Sequence, residues 1–505
     1  MTRNLRHALT AVLAACGLAA PAAAQGAGTS KFDAVAGARL ILQPPVDGGM
    51  VTTFAAIPNL TGEGGPGLAV GTFGSVPGRP AAGIVYVVPS TTRGGTATLG
   101  EPSLGGFEIV GARSYDAAGY EIAAAGDVNG DGRGDILLTA PRNGFVCAST
   151  GSGPCGNAPH YAYVVYGKAN RETVDLAHLR RSQGFSIEGV PGEGSIAGLG
   201  HFDGSPFSAI AVTGARYADV IWGGRDAANV RLAHLGSRGF RITAAIGVGA
   251  GPTAFAPAGD VNGDGRIDLA LHGWRLAAHR APGAFVLFGR HYTGTVVLNR
   301  LTRAGRGLSI VGAGRAVAAG DVNGDGLGDL LVGRTGSATE YDIVYGSRRV
   351  HRLSLGALGA HGERILGSPA PSGYFLQPNA LAGLGDLNRD GRTDVGIATE
   401  IFNHGATVSV GTVSVVYGSQ RPRTISLGDL GTAGFELAAQ APPVSCPPLT
   451  PSENVLGRVL AATPGFSAPG LPEFALTAAG FGPLPSFGLC SLRAGELLLE
   501  TLPSG

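Results

Sequence analysis

Short apolar runs alternate along this chain with polar, glycine-rich segments. One class of run is apolar at every position: Ile136-Leu137-Leu138, Leu269-Ala270-Leu271, Leu330-Leu331-Val332 and Val395-Gly396-Ile397. Runs this short, bounded by turn residues, read as β-strands. A second class opens on glycine: Gly106-Phe107-Glu108-Ile109, Gly184-Phe185-Ser186-Ile187, Gly239-Phe240-Arg241-Ile242, Gly307-Leu308-Ser309-Ile310, Gly362-Glu363-Arg364-Ile365 and Gly434-Phe435-Glu436-Leu437. A third closes on glycine: Tyr163-Val164-Val165-Tyr166-Gly167, Phe285-Val286-Leu287-Phe288-Gly289, Ile343-Val344-Tyr345-Gly346 and Val415-Val416-Tyr417-Gly418. The classes recur in fixed order, so the chain is a repeat.

The repeat predicts an all-β chain of seven units of about 60 to 75 residues, each with four short strands. Four-stranded units repeated radially make a β-propeller. The expectation is therefore a seven-bladed β-propeller of four-stranded blades. Its end units, near Asn59-Leu60-Thr61-Gly62 and Ala461-Ala462-Thr463-Pro464, are degenerate, as is a middle unit near His201-Phe202-Asp203-Gly204. The last run, Glu496-Leu497-Leu498-Leu499, matches a third strand, and Gly37-Ala38-Arg39-Leu40-Ile41-Leu42 matches the fourth strand missing after it. The ring is thus expected to be closed by the N-terminal strand.

Four units carry a polar loop between their first two strands. The loops hold Asp127, Asn129, Asp131, Arg133 and Asp135; Asp260, Asn262, Asp264, Arg266 and Asp268; Asp321, Asn323, Asp325, Leu327 and Asp329; and Asp386, Asn388, Asp390, Arg392 and Asp394. These are positions 1, 3, 5, 7 and 9 of the pattern D-x-N-x-D-G-x-x-D. Oxygen ligands at alternate positions of a tight loop suit calcium, a hard cation that takes about 6 to 8 of them. Position 7 offers its backbone carbonyl, so its side chain is free to vary. Position 9 leads straight into an apolar strand, unlike the acid at position 12 of an EF-hand. Asp-Asn-Gly clusters also build turns without metal. Four copies of one ligand grid favour about four Ca2+ sites, and three carboxylates in one short loop repel without a cation.

Together these markers resemble the FG-GAP repeat of the integrin α-subunit N-terminal β-propeller, in its bacterial exported form. The resemblance spans residues 38 to 500. It implies that positions 1, 3, 5 and 9 of each loop ligate calcium with the carbonyl of position 7, in blades two, four, five and six. The family's Phe-Gly and Gly-Ala-Pro signature is eroded, as at Thr139-Ala140-Pro141 and Val332-Gly333-Arg334.

Composition narrows the function. The formal net charge is +1, so nothing suggests nucleic acid or an anionic membrane as partner. Glycine, at 86 of 505 residues, lacks a collagen period and fits tight turns. Arg3 and Arg6 before the run Ala8 to Ala20, with Ala22-Ala23-Ala24 ahead of Gln25, read as a signal peptide over residues 1–24. Residues 25–36 read as a linker and 37–505 as the propeller. Leu13-Ala14-Ala15-Cys16 offers lipoprotein anchoring as the alternative. No other apolar run approaches the roughly 18 residues of a membrane span.

An exported chain, whether periplasmic, surface-bound or secreted, favours disulfides. After cleavage of the signal segment four cysteines remain: Cys147 and Cys155 flank a loop and suit each other, leaving Cys446 for Cys490, although four cysteines allow three connectivities. No G-x-S-x-G or H-E-x-x-H motif is present. Gly62-Glu63-Gly64-Gly65-Pro66-Gly67 fits G-x-G-x-x-G but reads as a turn, and His178 and His234 recur at one phase as structural residues. Arg133-Gly134-Asp135 spells an adhesion tripeptide whose Asp135 belongs to the metal grid. The expectation is a monomeric, non-catalytic binding or adhesion module for a surface or extracellular protein or carbohydrate. A hydrolase with its site in the channel and a structural envelope lipoprotein are the alternatives. The loops from Pro141 to His160 and around Phe402-Asn403-His404 are the first candidates for the binding face.

Overall fold

The structure is a computed structural model. It describes residues 31–33, 40–43, 45, 51–90, 95–141, 160–190, 195–213, 217–225, 228–243, 254–275, 282–301, 304–337, 339–367, 375–402, 410–438, 455–462, 473–483 and 490–501. Among these residues every regular element is a strand or a short 3-10 turn, and no helix is long and apolar enough to cross a membrane. The cysteine pairings, the signal segment and most of the two candidate binding loops lie outside the described residues.

Six five-stranded blades follow one another around the propeller. The first four strands of blade one are Val51–Ile57, Gly67–Thr72, Ile84–Pro89 and Phe107–Val110. Blade two has Ile122–Gly126, Asp135–Ala140, Tyr161–Val165 and Gly184–Glu188. Blade three has Ile196–Gly200, Ala209–Thr213, Tyr217–Ile221 and Gly239–Thr243. Blade four has Ala254–Gly259, Asp268–Arg275, Pro282–Leu287 and Gly307–Val311. Blade five has Ala313–Gly320, Asp329–Arg334, Glu340–Val344 and Gly362–Leu366. Blade six has Phe375–Gly385, Asp394–Phe402, Val410–Val416 and Gly434–Ala438.

In blades one to five the fifth strand is donated by the next repeat, and in all six it pairs in parallel with the fourth. Val174–Asp175 serves blade one, Val230–Arg231 blade two, Gly294–Val297 blade three, Arg352–Ser354 blade four and Thr424–Ser426 blade five. Blade six takes Lys31–Asp33, inside the segment read as a linker, with Phe32 opposite Leu437. The donated strands are short, but an apolar-x-apolar pair anchors them: Val174 and Leu176, Val230 and Leu232, Val296 and Leu298, Leu353 and Leu355, and Ile425 and Leu427 are all buried. Each covers a strand edge that would otherwise expose unpaired N–H and C=O groups.

A further five-stranded sheet joins Val455–Ala462, Glu473–Pro483 and Cys490–Thr501 to Leu40–Gln43 and Gly95–Thr98. Ile41 lies opposite Leu498 and Leu42 opposite Leu497 in antiparallel pairing. The expectation of seven four-stranded blades is corrected accordingly. The blades have five strands and number six, with this sheet beside them. It is the least regular unit, drawing two of its five strands from the N-terminal part of the chain. The strand count was missed because the donated strands are too short to show a two-residue period.

The core lies between successive blades. Leu199, Phe202, Phe240, Leu271 and Phe285, for example, form one buried cluster across blades three and four. Second strands such as Asp135–Ala140 are buried at every position, because both sheet faces meet a neighbour. The inner strands come so close that only glycine fits at some points. A Cβ on Gly198 would sit 2.0 Å from the Ala124 carbonyl oxygen of the preceding blade.

Candidate metal loops

All four polar loops join the first and second strands of their blades and share one hydrogen-bond pattern. The position-1 carboxylate caps the turn. Asp127 Oδ1 accepts from the N–H of Gly130 at 2.6 Å and of Asp131 at 3.1 Å, and Oδ2 accepts from Gly132 at 2.8 Å. Asp260 and Asp321 repeat all three bonds, and Asp386 repeats the last two. Asn129, Asn262, Asn323 and Asn388 accept from the N–H of position 5. Asp131, Asp264, Asp325 and Asp390 accept from the N–H of position 7. The turn needs left-handed backbone at position 6, where Gly132, Gly265, Gly326 and Gly391 have φ between +82° and +84°.

Position 9 behaves differently. Asp135, Asp268, Asp329 and Asp394 are fully buried. One oxygen of each accepts from the N–H of position 2, and the other from the glycine two residues past the third strand, as Asp135 does from Val128 at 2.8 Å and Gly167 at 2.9 Å. Asp268 holds Val261 and Gly289, Asp329 holds Val322 and Gly346, and Asp394 holds Leu387 and Gly418. Burial pushes all four carboxyls up to about 7, against the pull of these N–H groups and with help from the acid at position 5.

Three of the four loops also form the seam to the next blade. Asp127 and Val128 offer their carbonyls to the N–H of Ser208 and Gly224, at 2.7 and 2.8 Å. Asp260 and Val261 do the same for Gly328 and Ser347, and Asp321 and Val322 for Thr393 and Ser419. A change in loop geometry therefore reaches the neighbouring blade directly.

The donor set is all oxygen and mostly anionic, which is the chemistry calcium requires. A carboxylate oxygen that accepts one N–H keeps a further lone pair for a cation. Among the described residues, however, no three carboxylate, imidazole or thiolate groups are gathered around one point. The carboxylates turn instead toward the loop's own N–H groups. Part of the compensating charge comes from position 7, whose side chain the sequence reading left free. Arg392 meets Asp390 at 2.7 Å, and Arg133 and Arg266 lie 3.5 Å from Asp131 and Asp264. Leu327 leaves the blade-five loop without such a partner on position 7.

The degenerate loops replace acids with other devices. In blade one, Asn59 Oδ1 accepts from Gly64 N–H at 2.7 Å. In blade three, Asp203 meets His291 Nδ1 at 3.1 Å. The Arg133-Gly134-Asp135 tripeptide is not presented for recognition, since Gly134 and Asp135 are buried.

A scan of protein families matches the FG-GAP repeat at residues 118–154 and 313–345. These segments contain the loops of blades two and five, and the loops of blades four and six share their bonding. A search of curated proteins finds no match. The chain carries FG-GAP repeats on a β-propeller, which fits an integrin-like FG-GAP repeat protein.

Proposed function

We propose that this chain is an exported, calcium-binding β-propeller that acts as a non-catalytic binding or adhesion module for a protein or carbohydrate at or outside the cell surface. The observation that supports it is the fourfold recurrence of one oxygen-rich loop with one bonding pattern, placed at the seams between blades. Positions 1, 3, 5 and 9 of each loop, with the carbonyl of position 7, would hold the ion. When bound, calcium supplies positive charge that offsets the loop's three carboxylates. The residues themselves tie the turn to the third strand through position 9 and, in blades two, four and five, to the next blade through the carbonyls of positions 1 and 2. Calcium would thus hold the ring and its ligand-bearing face in one geometry.

The test is capture from surface and extracellular fractions by the immobilised chain, with and without chelator. A partner or glycan retained in calcium and released by chelator supports the reading. Identical capture by the native and heat-unfolded chain, or none at all, contradicts it.

A further inference from the structure

Between blades three and four the chain leaves Pro282–Leu287, crosses to donate Gly294–Val297 to blade three, and returns as Gly307–Val311. This crossover borders an open pocket of about 360 Å³ lined by Arg290, His291, Tyr292, Thr293, Thr295, Arg300 and Arg306, among others. Among the described residues, every titratable side chain in that wall other than Tyr292 is basic.

Arg290, Arg300 and Arg306 are exposed. Among the described residues none of them forms an ion pair. By contrast, Arg334 and Arg241 bind Asp342 and Asp219 with two hydrogen bonds each. Arg290 lies 5.6 Å from the Tyr292 ring centre. Tyr292 is buried and donates its hydroxyl to the Phe288 carbonyl at 3.0 Å, so the pocket has a fixed floor. His291 is fixed too, stacked 4.9 Å from Trp222 and bonded to Asp203.

The three guanidinium groups are open to solvent, and none is neutralised by an ion pair among the described residues. The guanidinium fork matches carboxylate, sulfate and phosphate through paired N–H donors. The Thr293 and Thr295 hydroxyls add neutral hydrogen-bonding capacity on the same wall. A volume of 360 Å³ lies within the range of small-molecule sites, about 300–1,000 Å³. An open pocket of that size admits part of a longer, flexible ligand.

We infer that this pocket binds an acidic saccharide, with a carboxylate or sulfate held by Arg290, Arg300 and Arg306 and sugar hydroxyls facing Thr293 and Thr295. This rests on the binding-module reading and narrows it to one ligand class and one site.

The experiment is calorimetric titration of the full, calcium-loaded chain with four probes: a sulfated tetrasaccharide, a tetra-uronate, a neutral tetrasaccharide and sodium sulfate. At least one acidic tetrasaccharide is expected to bind, with affinity falling as salt rises. The Arg290→Ala, Arg300→Ala, Arg306→Ala variant should bind it at least tenfold more weakly. An Arg348→Ala, Arg349→Ala control removes exposed charge outside the pocket and should bind it unchanged. Melting curves verify that both variants fold. Equal binding by the pocket variant and the wild type overturns the inference. So does sodium sulfate binding as tightly as the saccharide, which would mark an ion site alone. Binding of the neutral probe alone overturns it while leaving the binding-module reading intact. Binding of no saccharide overturns it together with the carbohydrate half of that reading, leaving the protein half to the capture test.

Discussion

The carboxylate of Asp329 holds the N–H of Gly346 at 2.8 Å while its other oxygen holds that of Val322 at 2.9 Å. One buried side chain thus ties together the candidate metal loop and the end of the third strand. Asp329→Ala would leave two buried N–H groups without an acceptor, at about 1–3 kcal/mol each. A loss of about 2–5 kcal/mol is expected in chelator, read by urea denaturation. Asp325→Ala, on the exposed side of the same loop, should cost less than about 1 kcal/mol under that condition. Equal losses would show that position 9 is no staple.

Acid stability should depend on a pair that joins a blade to its donated strand. Arg79 reaches both oxygens of Asp175, at 2.7 and 3.1 Å. Hydrogen bonding to Arg79 is the largest cause holding the Asp175 carboxyl down to about 2. A depressed carboxylate contributes stability that is complete above its unfolded value and lost as pH falls toward its folded one. The pair's contribution should therefore fade between about pH 4 and pH 2. Denaturation midpoints of wild type and Arg79→Ala should converge across that interval. A constant difference would contradict the assignment. The pair is partly exposed, so its contribution at neutral pH should be about 1 kcal/mol or less.

The N-terminal strand should stabilise the whole ring. Leu42 is fully buried and packs with Phe54, Leu68 and Val70 of blade one. Leu42→Ala should cost about 2–5 kcal/mol, with a single cooperative transition at lower denaturant. A variant as stable as wild type would mean that the strand's closure carries no energetic weight.

Much of this architecture was legible in the chain. The runs after Asp135, Asp268, Asp329 and Asp394 are apolar at consecutive positions because blades cover both faces of those strands. The pairing of Leu42 with Leu497 followed from the phase of the repeat. The donated strands were not recognised, since Val174–Asp175 spans two residues and its partner Ile109 lies in the preceding repeat. The signal was nonetheless present in Val174 and Leu176, and in Val230 and Leu232. Pairs such as Arg392–Asp390 depend on rotamers, and His291–Asp203 joins residues 88 positions apart. No local pattern exposes either. The cationic pocket is hidden for the same reason, because a net charge of +1 averages it away.

Thermal melting of the full chain with and without chelator, paired with calcium stoichiometry, tests the calcium proposal most directly. Binding to the folded state alone adds RT ln(1 + [L]/Kd), or about 2.7 kcal/mol per site at a hundredfold excess over Kd. Chelation should lower Tm, and calcium should restore it better than magnesium, which demands a tighter octahedron. About four ions should bind per chain, and Asp325→Ala should remove one of them and part of the Tm shift. An unchanged Tm in chelator, or fewer than three bound calcium ions, would show that these loops are turns held by their own hydrogen bonds.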